Sequence, residues 1–244
     1  MTVIIDAEHR PSDSPFVERV WRGRVDGVAL MTSVAASSWE LVVSRERGRL
    51  QVVARGPETA ASTVATTPDS TSFGIVFAHG VAISSIPVTR LVDAEACSPH
   101  VTATSFLLAG DRWELPDFDT AEILVDRLVR RGLLIRDPLV ADAIAGEASR
   151  HGLRTVQRRV VASTGLTLGA IRRIERARQA ALLLREGTRP LDVVHRLGYY
   201  DQPHLARSLR RFIGRTAGEL RTGVTSQSGQ ALSLLYKNAA WEHP

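Results

Sequence analysis

The spacing of apolar residues changes partway along this 244-residue chain. Up to about Gly110 they form short, dense runs. Trp39-Glu40-Leu41-Val42-Val43 and Leu50-Gln51-Val52-Val53-Ala54 are rich in strand-forming residues, and Ser44 to Arg49 between them carries the glycine and polar residues of a hairpin loop. Phe73-Gly74-Ile75-Val76-Phe77 reads as a further strand and Val25 to Met31 as another, while the Thr/Ser/Pro-rich stretch from Thr59 to Ser72 reads as a loop. This half is expected to form a small sheet or partial barrel.

From Asp119 the period becomes helical. Asp119 is a candidate N-cap, and Ile123, Leu124 and Leu128, followed by Leu133 and Leu134, form a stripe ending near Gly132. After Asp137-Pro138 the pattern is helical to about Arg221, with turns at Gly152, Gly165, Gly187 to Pro190, Gly198 and Gly214. The expected class is α+β: a β-rich segment 1–112, a connecting helix 113–135, an all-α segment 136–221, and a mobile tail 222–244 with a short helix at Ala231 to Tyr236.

The all-α segment repeats itself. At an offset of 49 residues, Arg158, Gly165, Thr167, Gly169 and Arg172 fall on Arg207, Gly214, Thr216, Gly218 and Arg221. Val156, Val160 and Ile171 likewise fall on Leu205, Leu209 and Leu220. In the second copy, Leu191, Val194 and Leu197 share one face of a short helix, and Gly198 can take the left-handed conformation that turns the chain. Asp201 then caps a helix whose first turn tolerates Pro203. Helix, short glycine turn and helix make a helix-turn-helix.

Leu205, Leu209 and Phe212 share the inner side of this second helix, with Pro203, Arg207 and Arg210 nearly opposite and His204 and Arg211 on the flank. The first copy buries Val156 and Val160 and exposes Arg154, Arg158 and, at the edge, Gln157. Arginine can bind guanine bidentately or neutralise phosphates, and glutamine can pair with adenine. Ile171, Ile174, Ala177, Ala181 and Leu184 give the intervening helix a length of about 22 Å. With the two basic helices added, successive major grooves about 34 Å apart come within reach.

Charge follows the same division. Residues 136–221 hold 17 arginines, no lysine and 8 acidic residues, a net +9, while the rest of the chain is at −4. A basic module beside a mildly acidic one suits polyanion binding. Cys97 is the single cysteine, which excludes an internal disulfide and a multi-cysteine metal site, and it reads as a small buried hydrophobe. The seven histidines show no metal-ligand spacing, His195 is expected to pack beside its turn, and no P-loop, dinucleotide fingerprint or nucleophile elbow is present. No enzyme, metal or cofactor is expected. No apolar run is long enough to span a membrane and no secretory leader is evident, so a cytoplasmic location is expected.

The stretch from Pro190 to Arg221, which includes Leu197-Gly198-Tyr199-Tyr200-Asp201 and Arg210-Arg211-Phe212-Ile213-Gly214, resembles the second helix-turn-helix of AraC/XylS transcriptional regulators. Leu153-Arg154-Thr155-Val156-Gln157-Arg158-Arg159 is similar to the first recognition helix of that family. The resemblance covers about residues 136 to 221. It implies base contacts by Arg154, Gln157 and Arg158 and by Gln202, Pro203, His204 and Arg207, with Thr155, Arg210 and Arg211 completing the DNA-binding set. Gly152 departs from the polar cap usual in the family, Pro203 lacks a polar side chain, and Gly146 to His151 is less regular than the usual turn. The front half resembles the small cupin-like sensing or dimerisation domains attached to some members. The implied partners are double-stranded promoter DNA and, left open, a small-molecule effector, RNA polymerase and a second copy of the chain. A partner-binding or ligand-sensing protein and a cupin-type enzyme are the competing classes.

Overall fold

The computed structural model describes residues 5–27, 30–147, 152–222 and 231–232. The β-rich region contains β1 (Ile5–Arg10), β2 (Val17–Val25), β3 (Leu30–Ser33), β4 (Glu40–Glu46), β5 (Arg49–Arg55), β6 (Ser62–Ala65), β7 (Ser70–Phe77), β8 (Val81–Ile83), β9 (Glu95–Cys97), β10 (Ser105–Leu108) and β11 (Asp111–Glu114). A 3-10 turn, Val88–Arg90, follows β8. Then come α1 (Ala121–Arg130), β12 (Leu134–Arg136), α2 (Pro138–Ala145), α3 (Leu153–Thr164), α4 (Leu168–Arg185), α5 (Pro190–Leu197), α6 (Gln202–Phe212), α7 (Ala217–Thr222) and β13 (Ala231–Leu232). The class is α+β, with the β-rich region first and the helical region after it.

An antiparallel six-stranded sheet in the order β1-β2-β7-β4-β5-β9 organises the first half. Val20, Ile75, Leu41 and Ala54 lie in register across one face and enter a core with Phe77, Phe106, Leu124 and Leu128. Trp39 stacks on Phe77 at 3.9 Å between ring centroids and donates its indole N–H to the Val81 carbonyl at 2.8 Å. The opposite face carries Arg19, Trp21, Glu40, Val42 and Val76. Trp21 lies across Gly74, where a β-carbon would stand 2.3 Å from its indole nitrogen, and donates to Glu40 Oε2 at 2.8 Å. Burial on both faces explains why Leu41-Val42-Val43 is continuously apolar instead of alternating.

Several local expectations change. The hairpin that follows Trp39 is tighter than expected, because β4 and β5 extend to Glu46 and Arg49 around Arg47 and Gly48, both at positive φ. Val25 to Met31 is not one strand: β2 ends at Val25 and β3 begins at Leu30. The Thr59 to Ser72 stretch contains β6, which pairs with β3. Thr120, not Asp119, is the N-cap of α1, and Asp117 accepts the Asp119 and Thr120 amide hydrogens at 3.0 and 2.8 Å. Ile123 is exposed, while Ala121, Leu124, Val125 and Leu128 turn α1 into the sheet's core. Cys97 is exposed in β9 rather than buried. Ala231–Leu232 pairs in parallel with Met31–Thr32 where the short helix was expected to start, and the remainder of that helix and of the expected tail lies outside the described residues.

A second core gathers Ile171, Ile174, Leu184, Leu205, Leu209 and Ile213 around α4. Val34 and Ala35, from the segment after β3, are fully buried in this helical core. The two regions therefore share apolar packing as well as chain connectivity.

Candidate nucleic-acid interface

The first helix-turn-helix unit begins at Asp137. Its carboxylate accepts the Leu139 amide hydrogen at 3.2 Å, which caps α2, and Pro138 fills a first-turn position whose N–H would have no intrahelical partner. The same carboxylate receives Arg159 Nε at 2.6 Å and Nη2 at 2.7 Å, so α2 and α3 are tied by a bidentate pair. Gly146 ends α2 in the left-handed conformation. Along α3, Val156 and Val160 face inward, Arg154, Gln157 and Arg158 are exposed, and Thr155 is half-buried. Gly152 is the N-cap, with no side chain to cap with.

In the second unit, Gly198 ends α5 at φ 66° and Asp201 caps α6 by accepting the His204 amide hydrogen at 2.6 Å. Leu205, Leu209 and Phe212 are buried, and Gln202, Pro203, Arg207, Arg210 and Arg211 are exposed. His204 is half-buried and meets Tyr199 edge-on at 5.2 Å. Tyr199 is held by Ser208 at 3.2 Å and by the Arg176 guanidinium 4.6 Å above its ring, and burial raises its phenol above the usual range. In α5 Val194 is buried and Leu197 packs half-buried against the helical core, as expected, joined by the buried Val193, whereas Leu191 and His195 are exposed, contrary to the expected inward leucine and packed histidine.

The repeat identities acquire structural reasons. Gly165 and Gly214 both take positive φ directly after the two exposed basic helices. Thr167 caps α4 by accepting the Ala170 amide hydrogen at 3.2 Å. Its counterpart Thr216 forms a reciprocal capping box with Glu219: the Thr216 amide donates to Glu219 at 2.7 Å, and the Glu219 amide to Thr216 Oγ1 at 3.3 Å. Those bonds hold the Glu219 carboxyl below the usual carboxylate range. Arg172 donates to Ala143 O at 3.3 Å and Arg176 to Gly198 O at 3.4 Å, so α4 places a cation at the C-terminal end of each leading helix.

The exposed faces of α3 and α6 thus present Arg154, Gln157 and Arg158 on one helix and Gln202, Pro203 and Arg207 on the other, with Arg158 and Arg207, and Arg154 and Pro203, in equivalent positions of the repeat. Arg154, Arg158, Arg207 and Arg210 make no ion pair among the described residues. Their charge is available to an external anion. Two exposed residues beside these faces were not picked out by sequence reasoning: Leu153, the first residue of α3, is 71% exposed, and Tyr200, next to the α6 cap, is 91% exposed. The readable signal was a large apolar residue at a helix start that fits no buried stripe.

The other side of the helical region rests on the ionic face of the sheet. Around Glu175 and Arg178 of α4 lie Glu18, Arg19, Ser38, Glu40, Arg55 and Glu58. Ser37 donates to Glu175 at 2.5 Å and stands 2.8 Å from His79 Nε2. Burial opposes the charge on Glu18, yet Arg19, His79 and Arg178 with the Ser38 hydroxyl outweigh it and hold the carboxyl below its usual range. Burial also pulls the Arg19 guanidinium down. Charges interrupting apolar strands, such as Glu40, were the sequence trace of this layer.

Residues 147–223 match the family model described as a helix-turn-helix domain. The match is consistent with the AraC/XylS resemblance and supports a DNA-binding transcription regulator. No curated protein and no solved structure matches the chain. The β-rich region is compatible with a cupin-like architecture. Among the described residues no helix is long and apolar enough to cross a membrane, and no group of three metal-ligating side chains is assembled.

Proposed function

We propose that this protein reads promoter DNA by placing α3 and α6 in two successive major grooves, with Arg154, Thr155, Gln157 and Arg158 on one helix and Gln202, Pro203, His204, Arg207, Arg210 and Arg211 on the other. The observation that carries this reading is the repetition of one exposed, unpaired basic face on two helices backed by equivalent buried positions. One arginine-bearing helix is an ordinary solvated surface. Two, in register with an internal repeat, supply what one face of a duplex offers to a single chain.

Selection of bound sequences from a random duplex pool tests the reading. The expected result is a site with two conserved blocks about one helical turn apart, bound with affinity that falls steeply as salt rises. Recovery of no common sequence would reject it.

Control by a small molecule forms part of the proposal. A cleft of about 470 Å³ opens on the inner face of the six-stranded sheet, floored by Val43, Leu50 and Phe73 and rimmed by Arg22, Arg24 and Arg45. Its apolar floor and polar rim suit an effector site. RNA polymerase contact and self-association extend the same AraC/XylS resemblance.

A further inference from the structure

We infer that the β-rich region is a splint that fixes the separation and tilt of the two recognition helices, and that Asp93 and Thr59 are the positioning residues joining its two seats. The inference rests on the reading of α3 and α6 as groove-entering helices.

Each of those helices ends against the β-rich region at an equivalent point of the repeat. A β-carbon on Gly165, just after α3, would stand 2.5 Å from Val92 Cγ2 and 3.2 Å from the Val88 carbonyl. One on Gly214, just after α6, would stand 2.8 Å from Thr32 Cγ2 and 3.2 Å from Ala61 Cβ. Both glycines have positive φ, so close approach and backbone conformation select glycine together. At the second seat the Ala35 and Ala61 amides donate to the Phe212 and Arg211 carbonyls, each at 2.8 Å. Those carbonyls belong to the last turn of α6 and have no intrahelical donor. The β-rich region therefore completes the hydrogen bonding of a recognition helix at its C-terminal end, opposite the end that carries Gln202, Pro203 and His204.

The first unit is anchored more strongly still. Its leading helix emerges from β12, which pairs with β8, and the Asp137 amide donates to Gly80 O at 2.9 Å. Helix α3 packs on the Val88–Arg90 turn and on β8 as well as on α4. Only Gly165, Leu166 and Thr167 join α3 to α4, so the long helix alone leaves the angle of α3 adjustable. The seats remove that freedom.

The two seats are clasped to each other. Asp93 follows the Val92 seat, and its carboxylate accepts the Thr59 amide at 2.7 Å and the Thr59 hydroxyl at 2.7 Å, two residues before the Ala61 seat. The Asp93 amide donates to Pro57 O at 2.8 Å and the Gly56 amide to Ala94 O at 3.1 Å, which extends the same junction. None of these groups lies on a DNA-reading helix. Their effect on DNA would be geometric: a loosened clasp lets each helix find its groove independently, so the spacing between subsites ceases to matter.

The experiment uses the full chain and the two-block duplex recovered by selection, a series with base pairs added or removed between the blocks, and a duplex with one block scrambled. Two added base pairs rotate one groove by about 70° relative to the other. Wild type is expected to lose at least about tenfold in affinity on that duplex, whereas Asp93→Gly, which suits the positive φ of that position, loses about threefold or less. Thr59→Ala, which removes one of the two bonds, should fall between them, and it decides the question if Asp93→Gly no longer unfolds cooperatively. Affinity for the one-block duplex should stay within about twofold of wild type in both variants. Unchanged spacing profiles in the variants, or a wild type indifferent to spacing, would overturn the splint while leaving sequence reading intact. A wild type unable to distinguish the selected duplex from a fully scrambled one would instead overturn the DNA-reading assignment.

Discussion

Asp137 and Arg159 are joined by two hydrogen bonds of 2.6 and 2.7 Å, and the same aspartate caps α2 through the Leu139 amide. One carboxylate thus fixes both helices of the first unit at the point where the chain leaves β12. Asp137→Ala removes the cap and the pair together and should cost about 2 kcal/mol in denaturant unfolding. Asp137→Asn keeps an acceptor for the cap and should cost less than half as much. Equal losses in the two variants would show that the ion pair, not the cap, carries the effect.

The second unit depends on Asp201 in the same way, but with no ion partner among the described residues. Asp201→Ala leaves the His204 amide uncapped and should lower stability by about 1 kcal/mol. Asp201→Ser should recover most of it. Binding to the selected duplex should weaken in the alanine variant and return with serine, as read by titration of labelled DNA.

Arg207 is exposed on α6, in register with Arg158 on α3. Arg207→Ala should cost about 1–3 kcal/mol on the selected duplex and relax preference at one base position. Arg210→Ala, further along the helix, should weaken all sequences alike and flatten the salt dependence by about one charge. Swapped outcomes would reassign which arginine reads a base and which neutralises a phosphate.

Glu122 and Arg10 tie α1 to β1 through two bonds of 2.7 Å, and the Arg10 hydrogen bond holds the Glu122 carboxyl at about 2. Because the folded value lies below the unfolded one near 4.5, the pair stabilises fully above that pH and its contribution fades as pH falls toward 2. Glu122→Gln should therefore lower the melting temperature at pH 7 and have a progressively smaller effect at pH 4 and pH 3. A constant difference across that range would mean that the pair does not contribute through its charge.

The second helix-turn-helix was legible almost residue by residue because its determinants are local. A glycine ending α5, an aspartate capping α6 and a stripe of Leu205, Leu209 and Phe212 each act within a few positions of one another. The first unit was harder to read, since its cap is a glycine with no side-chain bond and its key acid, Asp137, acts on Arg159 at a separation of 22 residues. In the sheet, the hairpin of β4 and β5 stood out because its strands are adjacent in sequence. The pairing of β2 with β7 and of β3 with β6 did not, because partners so far apart leave no periodic trace.

The sequence alone determined that two copies of one basic helical unit are present, which faces of α3 and α6 turn outward, and where α6 begins and stops, since periodicity and capping are short-range consequences of backbone geometry. Only the tertiary structure decided that Val34 and Ala35 complete the helical core, that Glu175 and Arg178 rest on a charged sheet face, and that Gly165 and Gly214 seat on the β-rich region. Those contacts join surfaces whose chemistry is ordinary until packing excludes water between them, and burial is a property of the assembled molecule, which no single stretch of chain encodes.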